Sequence, residues 1–446
     1  MKTIEAIAAE LQGYDPQALS VPMVNAFLHQ LVAPVTQTET VSIFQALDRV
    51  LAQDVISPIS VPPHDNSAMD GYAFNGAALA ARAPLTLKIA GTALAGKGWV
   101  GTLGSDECLK IMTGAILPRG FDTVVPQELV TIQGDAVIIP PGLLQPGDNR
   151  RQMGEDLMQG LPALQKGTLI KPAAMGLLAS LGIKEVQVFR KLRVAYFSTG
   201  DEILSLGDSP REGAVFDSNR YTVWGLLTRL GCEVIDMGVV RDEPALLEAA
   251  FLEAATKADA IITSGGVSVG EADYTKAMMK KLGDVAFWRI AMRPGRPMAV
   301  GRIVNNKSAS GARQTSFSSY EKESNPPPSS AILFGLPGNP VAVMVTFLAF
   351  VRPALLQMMG STQRPPPLLK ARSMEAIRKK PGRTEYQRGT VSTARDGSLQ
   401  VQTTGNQGSG VLSSMVQANG LIVLHHTQGN VALGDEVDVM VFDGII

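Results

Sequence analysis

Between Leu192 and Met358 the chain alternates short apolar runs with longer segments of helical periodicity. The runs RVAYFS, CEVIDMGVV, AIITS, VAFWRIAM and AILFGL have the length of strands, whereas YTVWGLLTRLG, ALLEAAFLEAATKA, TKAMMKKLG and NPVAVMVTFLAFV have the length and spacing of helices. This alternation predicts a doubly wound, mostly parallel sheet with helices on both faces. Ligands of such sheets bind beyond the carboxyl ends of the strands, so the loops at those ends carry the candidate chemistry.

Three further domains are predicted around this α/β domain, which we place at residues 191–358. Short apolar runs separated by Gly, Pro and Asp indicate two smaller β-rich domains, one inserted at residues 60–152 and one C-terminal at residues 359–446. Residues 19–59 and 153–190 have helical spacing, and together they predict one helical linking domain that is discontinuous in the chain. The sequence therefore predicts an α/β multidomain protein.

Smaller features complete this organisation. Within the linking domain we expect two helices broken at Pro34 and a third over PAAMGLLASLGI, which ends at Gly182. Residues 1–18 carry a short helical pattern and are interpreted as a loosely attached extension. Residues 304–330 are rich in Ser, Asn and Pro and have no periodicity, so we expect a mobile insertion there.

The composition excludes several classes of protein. Forty basic residues against forty-one acidic ones leave a net charge of −1, which argues against a nucleic-acid coat and against a membrane-surface protein. The two cysteines, Cys108 and Cys232, lack CxxC spacing and predict reduced thiols in a cytoplasmic protein, not a disulfide framework or a zinc site. We also expect neither a signal peptide at the N-terminus nor a membrane span.

A glycine-rich turn, SGGVSVGEAD, follows the predicted strand AIITS and precedes a helix. Backbone N–H groups at such a turn favour an anion, because glycine leaves them unobstructed. The turn matches neither a Walker loop nor GxGxxG. For this turn taken alone, a structural glycine turn with helix-capping acids remains an equally good interpretation.

Carboxylates follow three of the predicted strands. FSTGDEI supplies Asp201 and Glu202, and GVVRDEP supplies Asp242 and Glu243. The glycine turn ends in Asp273. Each acid alone is an ordinary helix-capping or solvated residue. Together, at one edge of a sheet, they predict a site for magnesium and a phosphate, since carboxylate and phosphate oxygens are the ligands that magnesium prefers.

Arginines are concentrated in two turns. WRIAMRPGRP holds Arg289, Arg293 and Arg296, and the distant PGRTEYQRG adds Arg383 and Arg388. Arginine keeps its charge and offers fixed donors to oxyanions, so an anion site is one interpretation and a solvated basic surface is the other. The four histidines form no HExxH pattern and no GxSxG motif occurs, which argues against the corresponding hydrolases.

Eight motifs, taken together and in order, closely resemble the molybdopterin molybdenumtransferase family, of the MoeA and gephyrin E-domain type. They are PPHDNSAMDGYA, IMTGA, RRQMGEDL, FSTGDE, SGGVSVGEADYTK, RPGRP, GLPGNPV and PGRTEYQRG. The resemblance implies an elongated cytoplasmic homodimer that converts adenylylated molybdopterin and molybdate, with Mg²⁺, into molybdenum–molybdopterin and AMP. Contacts with a molybdopterin adenylyltransferase and with molybdoenzymes are also implied.

The resemblance implies roles for individual residues as well. The matching catalytic positions are Asp65, Thr113, Asp156, Glu202, Asp242 and Asp273, of which the last three are the candidate Mg²⁺ ligands and the first three would reach the cleft of the partner subunit. The matching molybdate positions are Arg289, Arg293, Arg296, Arg383 and Ser409. The substrate or its nucleotide would contact Ser264, Gly265, Gly266, Ser268, Gly270, Pro337, Gly338 and Asn339.

Three features depart from the family pattern, one of which is the extension at residues 1–18 that lies outside the match, and two other functions stay open. The family often has lysine where this chain has Arg289, Arg293 and Arg296, and the two side chains are not interchangeable. The insertion at 304–330 is long. The α/β domain also resembles a molybdopterin adenylyltransferase, which would consume ATP. A non-catalytic cofactor carrier or scaffold is the second alternative.

Overall fold

The computed structural model describes residues 2–79, 82–267, 274–304 and 330–442, so residues 305–329 of the predicted insertion lie outside the described part. A six-stranded sheet confirms the predicted alternation. In spatial order its strands are Glu233–Val240, Arg193–Thr199, Ala260–Ser264, Ser330–Leu336, Pro297–Val304 and Gly283–Arg289. The first four are parallel, and the last two join antiparallel. The sequence-based prediction lacks the strand Pro297–Val304, because no helix separates it from the strand before it.

Helices cover both faces of this sheet. Val194 and Tyr196 are buried in one hydrophobic cluster, and Ala195 and Phe197 are buried in another. Since successive side chains of a strand point to opposite faces, both faces are packed. The helices are Ser218–Arg229, Pro244–Lys257, Tyr274–Leu282, Pro340–Thr346 and Arg352–Met358, and a π-helical segment, Phe347–Val351, joins the last two.

The continuous helical stretch Pro340–Met358 belongs to this core. By length and composition alone it would suffice to cross a membrane, and it is the one such helix among the described residues. However, 83% of its most apolar window is buried inside the protein. Packing against the sheet and the N-terminal helices therefore accounts for its apolar character.

The linking domain is formed by two separate pieces of chain that pair with each other. The strand Thr38–Ser42 pairs antiparallel with Glu185–Phe189, and Val55–Ile56 pairs with Pro162–Leu164. The helix Pro172–Ser180 confirms the prediction over PAAMGLLASLGI. The pairing explains how residues 62–156 can form an inserted unit between the two pieces.

The prediction of a second helix after Pro34 is wrong. The apolar spacing there is helical, but the chain forms a strand and then a short 3₁₀ turn, Ile43–Gln45. Phe44 and Leu47, which would lie on the buried face of the helix, are 86% and 44% exposed. Asp48 has a φ of 59°, a left-handed conformation that no helix interior tolerates.

The inserted domain is a six-stranded sheet with a small core on each face. Its strands, in spatial order, are Thr123–Pro126, Gly71–Phe74, Glu107–Ile111, Leu85–Ala93, Ala136–Ile139 and Thr131–Gln133. A two-stranded ladder, Asn66–Ser67 with Arg150–Arg151, lies at its base, and 3₁₀ turns occur at Gly76–Ala78 and Gln127–Leu129. The apolar runs LTLKIA, CLKIMT, DTVVP and AVIIP, on which the prediction of a β-rich domain depends, all form strands.

The C-terminal domain is a closed barrel. The strand Thr384–Thr393 pairs with both the second and the last strand of the series, which closes the ring. In spatial order the barrel strands are Thr384–Thr393, Leu399–Thr403, Leu369–Ser373, Glu436–Val441 and Gly420–Leu424, with a short helix at Ser413–Gln417. The pair Met292–Arg293 of the α/β domain adds to the strand Thr384–Thr393 and joins the two domains.

The N-terminal extension is not loosely attached, contrary to the sequence-based interpretation. It forms a helix, Ile4–Glu10, whose Ile7 is fully buried in the large core cluster of the α/β domain. The following helix, Val21–Leu31, buries Val24, Phe27 and Leu28 in the same cluster. A helix of seven residues has only a narrow apolar face, and the sequence alone does not show which surface covers it.

Candidate functional site

A cavity of about 1030 Å³ lies at the carboxyl edge of the parallel strands. It is bounded on one side by turns of the α/β domain and on the other by a loop of the C-terminal barrel. This is the position that a doubly wound sheet predicts for a ligand. The predicted site residues that line it are Glu202, Asp242, Ser264, Gly265, Gly266, Arg293, Arg296, Pro337, Gly338, Asn339, Arg383 and Ser409.

The glycine turn begins at the cavity floor. A Cβ atom at Gly265 would lie 2.3 Å from the carbonyl oxygen of Thr199, and Gly265 and Gly266 have φ values of 93° and 64°. Ser264 is buried, and its hydroxyl forms hydrogen bonds with Tyr196, at 2.6 Å, and Ser198, at 3.2 Å. Only glycine fits both the conformation and the space, so two adjacent strand ends approach closely here.

Burial changes the pKa of the tyrosine in this hydroxyl cluster. It raises the pKa of Tyr196 well above its usual value, and hydrogen bonds from the neighbouring serines oppose the shift only in part. The phenol therefore stays protonated and shares hydrogen bonds with the hydroxyls of Ser198 and Ser264 beneath the glycine turn. Of the remaining predicted residues of the turn, Ser268, Gly270 and Asp273 lie outside the described residues.

Two carboxylates stand on the wall beside the glycine turn. Glu202 follows the strand Arg193–Thr199, and Asp242 follows the neighbouring strand Glu233–Val240. The hydroxyl of Thr275 donates a hydrogen bond of 3.2 Å to Asp242. The described residues contain no ready-made cluster of three or more metal-ligating side chains. The carboxylate oxygens of Glu202 and Asp242 nevertheless fit Mg²⁺, which usually takes one or two carboxylates and completes its shell with phosphate and water.

Arginines form the opposite wall. Arg293 and Arg296 flank Gly295, whose φ is 94°, and the N–H of Ile290 donates to the carbonyl of Arg296 at 2.7 Å to close the turn. Within the described ranges neither Arg293 nor Arg296 forms an ion pair with a carboxylate. Two exposed guanidinium groups that have no carboxylate partner in the described part of the chain make this wall suited to an oxyanion.

The C-terminal barrel contributes a third cation. Arg383 donates from Nε to the buried carboxylate of Glu385 at 2.8 Å, and a second nitrogen lies 2.8 Å from the same oxygen. This contact fixes the guanidinium at the cavity. Arg383 is paired with the carboxylate of Glu385. The guanidinium groups that form no ion pair in the described part of the chain are therefore those of the α/β-domain turn.

Arg388, the second arginine of PGRTEYQRG, has a supporting position. It is fully buried, and it donates to the Ser414 hydroxyl at 2.9 Å and to the carbonyls of Asn406 and Gly408 at 3.1 and 2.9 Å. Burial and, to a lesser extent, the nearby Arg293 lower its pKa. Arg388 thereby holds the loop that presents Ser409 to the cavity.

The residues after the strand Ser330–Leu336 form a rigid corner. Pro337, Gly338 and Asn339 precede the helix that begins at Pro340. The amide of Asn219 donates to the carbonyl of Gly338 at 2.7 Å. Sequence reasoning missed Asn219 and its neighbours Phe216 and Asp217, which line the cavity, although the FDSN segment has the Asp of an N-terminal helix cap. It also missed Gln407.

Four predicted site residues do not line this cavity. Arg289 ends the edge strand, where its backbone contacts Pro16 and Leu19. Asp65, Thr113 and Asp156 lie in or beside the inserted domain. Asp65 accepts from the Met153 N–H at 2.8 Å, and the Asp156 N–H donates to Val61 at 3.0 Å.

Thr113 is held by a neighbouring acid. Its backbone N–H and its hydroxyl both donate to Asp70 at 2.7 Å. Both hydrogen bonds lower the pKa of Asp70, and the bond from the Thr113 hydroxyl has the larger effect. Asp65, Thr113 and Asp156 therefore lie outside the cavity of their own chain.

Three family models match consecutive parts of the chain. They are described as the MoeA N-terminal region (domain I and II) over residues 19–182, a probable molybdopterin binding domain over residues 195–357, and the MoeA C-terminal region (domain IV) over residues 370–442. The extension before residue 19 lies outside these ranges.

Curated proteins and solved structures are similar over almost the full length. A molybdopterin molybdenumtransferase of Haemophilus influenzae is 41% identical over 423 residues, covering 95% of this chain and 98% of the relative. A molybdopterin molybdenumtransferase of Nostoc sp. is 34% identical, and the match covers 90% of this chain and 88% of the relative. A crystal structure of a molybdopterin biosynthesis MoeA protein from Pyrococcus horikoshii gives a TM-score of 0.75 at 25% identity and covers 95% of this chain.

Proposed function

Since the chain belongs to the molybdopterin molybdenumtransferase family, we propose that it transfers molybdenum from molybdate to adenylylated molybdopterin and releases AMP. This would be the last step of molybdenum cofactor biosynthesis. One observation carries the proposal: a single cavity unites a glycine-lined strand edge, two carboxylates and two arginines that form no ion pair within the described ranges. These are the groups needed for a pyrophosphate, its metal and a tetrahedral dianion.

The oxyanion would bind at the arginine wall. Arg293, Arg296 and Arg383 present N–H donors, and Ser409 adds a hydroxyl from the barrel loop. Donors of this kind match the four oxygens of molybdate. Because arginine remains charged at all physiological pH values, the affinity should change little between pH 6 and 8.

The pyrophosphate of the substrate would lie between the glycine turn and the carboxylates. Glu202 and Asp242 would hold Mg²⁺ there, and the bound ion would withdraw charge from the phosphates when their P–O–P bond is cleaved. The phenyl ring of Phe216, 45% exposed on the rim, offers a flat apolar face for one of the two heterocycles of the substrate. The cavity therefore has separate places for the ring, the phosphates and the oxyanion.

A homodimer is the second part of the proposal. The linking and inserted domains expose large apolar side chains, including Phe44 at 86%, Ile56 at 48% and Leu161 at 56%. A second copy would cover these side chains. In that arrangement Asp65, Thr113 and Asp156 would serve the cavity of the partner subunit. We place the enzyme in the cytoplasm, where the adenylyltransferase that supplies its substrate and the molybdoenzymes that accept its product would be its contacts.

The deciding experiment measures AMP release from adenylylated molybdopterin by the purified protein, with Mg²⁺, in the presence and absence of molybdate. Molybdate-dependent AMP release together with formation of active cofactor supports the transferase. Consumption of ATP without use of molybdate would instead indicate an adenylyltransferase. Binding of the pterin without AMP release would indicate a carrier.

A further inference from the structure

The N-terminal extension runs along the outer edge of the sheet that carries the arginine turn. Its helix Ile4–Glu10 is anchored at the far end of the edge strand, where the N–H of Ile4 donates to Asp284 at 2.9 Å. On the next strand, the guanidinium of Arg302 donates to the carbonyl of Lys2 at 2.5 Å. Ile7 is completely buried. This segment lies before the range that the family model matches, so the family architecture does not require it.

Aromatic side chains attach the middle of the extension. The Tyr14 ring stacks on Phe27 with 5.9 Å between centroids, and Phe27 meets Trp288 edge-on at 4.9 Å. The Trp288 indole N–H donates to the Tyr14 hydroxyl at 2.9 Å, and Trp288 is only 2% exposed. Removing Tyr14 would leave this buried donor without its partner, which is costly.

The end of the extension is bonded directly to the chain that leads into the arginine turn. The N–H of Arg289 donates to the Pro16 carbonyl at 2.8 Å, and the N–H of Leu19 donates back to Arg289 at 3.2 Å. The N–H of Ala291 donates to the Leu19 carbonyl at 2.7 Å. Residues 16–19 therefore satisfy the backbone groups of Arg289 and the N–H of Ala291, and a parallel bridge joins Leu19 to Ile290.

The arginine turn starts at Ile290, the residue after Arg289. Ile290 bonds to the carbonyl of Arg296, and the Ala291 carbonyl accepts from the N–H of Thr384 in the barrel at 2.8 Å. The turn is thus held between the extension on one side and the barrel on the other. A shift of the extension would move Ile290 and, through it, the backbone of Arg296.

We infer that residues 2–18 are a positioning element that sets the placement of Arg293 and Arg296 and thereby the affinity for the oxyanion. The inference rests on the proposed function, because it assigns molybdate to these arginines. The hydrogen bonds that join the extension to the sheet go to Asp284, Trp288, Arg302 and the strand leading into the arginine turn, so it should act on molybdate binding more than on turnover. A displacement of about 1 Å in such a site can cost on the order of a hundredfold.

The test compares the full-length protein with a variant that lacks residues 2–15 and with the milder Tyr14→Phe and Ile7→Ala variants. Molybdate binding is measured directly by isothermal titration, and KM for molybdate and kcat are measured separately by AMP release. We expect the dissociation constant and KM to rise by about tenfold or more in the deletion and by about two- to fivefold in Ile7→Ala, with kcat changed less than twofold. If the deletion does not fold, the two point variants decide.

A matched control separates positioning from general loss of stability. Leu178→Ala removes a fully buried side chain from the core of the linking domain, far from the turn in the chain. It should lower stability as much as Ile7→Ala does and leave molybdate affinity unchanged. Equal molybdate affinity in all extension variants would overturn the inference. Absence of molybdate binding by the full-length protein would overturn the proposed function itself.

Discussion

Replacing Gly295 by alanine should displace the arginine wall without altering any charged group. The φ of Gly295 is 94°, a conformation that costs an L-residue roughly 1–2 kcal/mol. Its new Cβ would lie 2.4 Å from the hydroxyl of Thr346. That side chain is fully buried and donates to the Ala342 carbonyl at 2.6 Å, so moving it sacrifices a hydrogen bond worth about 1 kcal/mol. Arg293 and Arg296 lie on either side of Gly295 in the chain, so a shift of this backbone would move both of them.

We expect Gly295→Ala to lower the free energy of unfolding by about 2–3 kcal/mol, the sum of these two costs. Because the turn relaxes by moving its backbone, molybdate affinity should fall by about tenfold or more. Denaturant unfolding measures the first effect, and isothermal titration with molybdate measures the second. In a Thr346→Ala background, which has already lost this hydrogen bond, Gly295→Ala should cost only the backbone part, roughly 1–2 kcal/mol.

The control is the same substitution in an unstrained place. Gly225 lies within the helix Ser218–Arg229, and a Cβ there would meet no atom within 4 Å. Gly225→Ala should stabilise the protein by about 0.5–1 kcal/mol, since glycine is a poor helix former, and it should leave molybdate affinity unchanged. Wild-type stability and molybdate affinity in Gly295→Ala would refute the reasoning about this turn.

Three other changes give distinct expectations. Asp259→Asn removes the charge from a buried, bidentate ion pair with 2.7 Å contacts, and denaturant unfolding should show a loss of about 3–5 kcal/mol. Glu385→Gln releases Arg383, and steady-state kinetics should show a higher KM for molybdate at nearly constant kcat. Burial raises the pKa of Cys108 and Cys232 to about 12 each, so unfolded thiols ionise above pH 9.0 while native ones do not. The free energy of unfolding should therefore fall by about 1.4 kcal/mol per pH unit for each thiol above that pH, and pH-dependent unfolding of the Cys108→Ala/Cys232→Ala variant should show a smaller slope.

The sequence predicts those parts of the site that follow from the direction of the strands. Glu202, Asp242 and Ser264 come directly after three strands that are neighbours and parallel in the sheet. Once the alternation of strands and helices is recognised, their convergence is a geometric necessity. The position of Gly265 follows in the same way, because a close approach of two strand ends demands glycine.

Other parts depend on contacts between distant segments, and local sequence carries no signal for them. The helical spacing after Pro34 is misleading because Asp48 adopts a left-handed conformation. The attachment of the extension depends on a surface formed 274 to 280 residues later, where Trp288 bonds to Tyr14 and Asp284 bonds to Ile4. The role of Arg388 depends on the closure of the barrel around it.

The neck between the linking and inserted domains has a consequence for how such a protein can evolve. The N–H of Val61 donates to Leu157 at 2.7 Å, and the N–H of Leu157 donates back to Val61 at 3.2 Å. The chain therefore leaves and re-enters the linking domain at a single point. An entire module of residues 62–156 can be exchanged, lengthened or replaced by a short hairpin without changing the register of the remaining strands. Recombination at this neck would yield chains that keep the cavity of the α/β domain and vary only the surface of the inserted module.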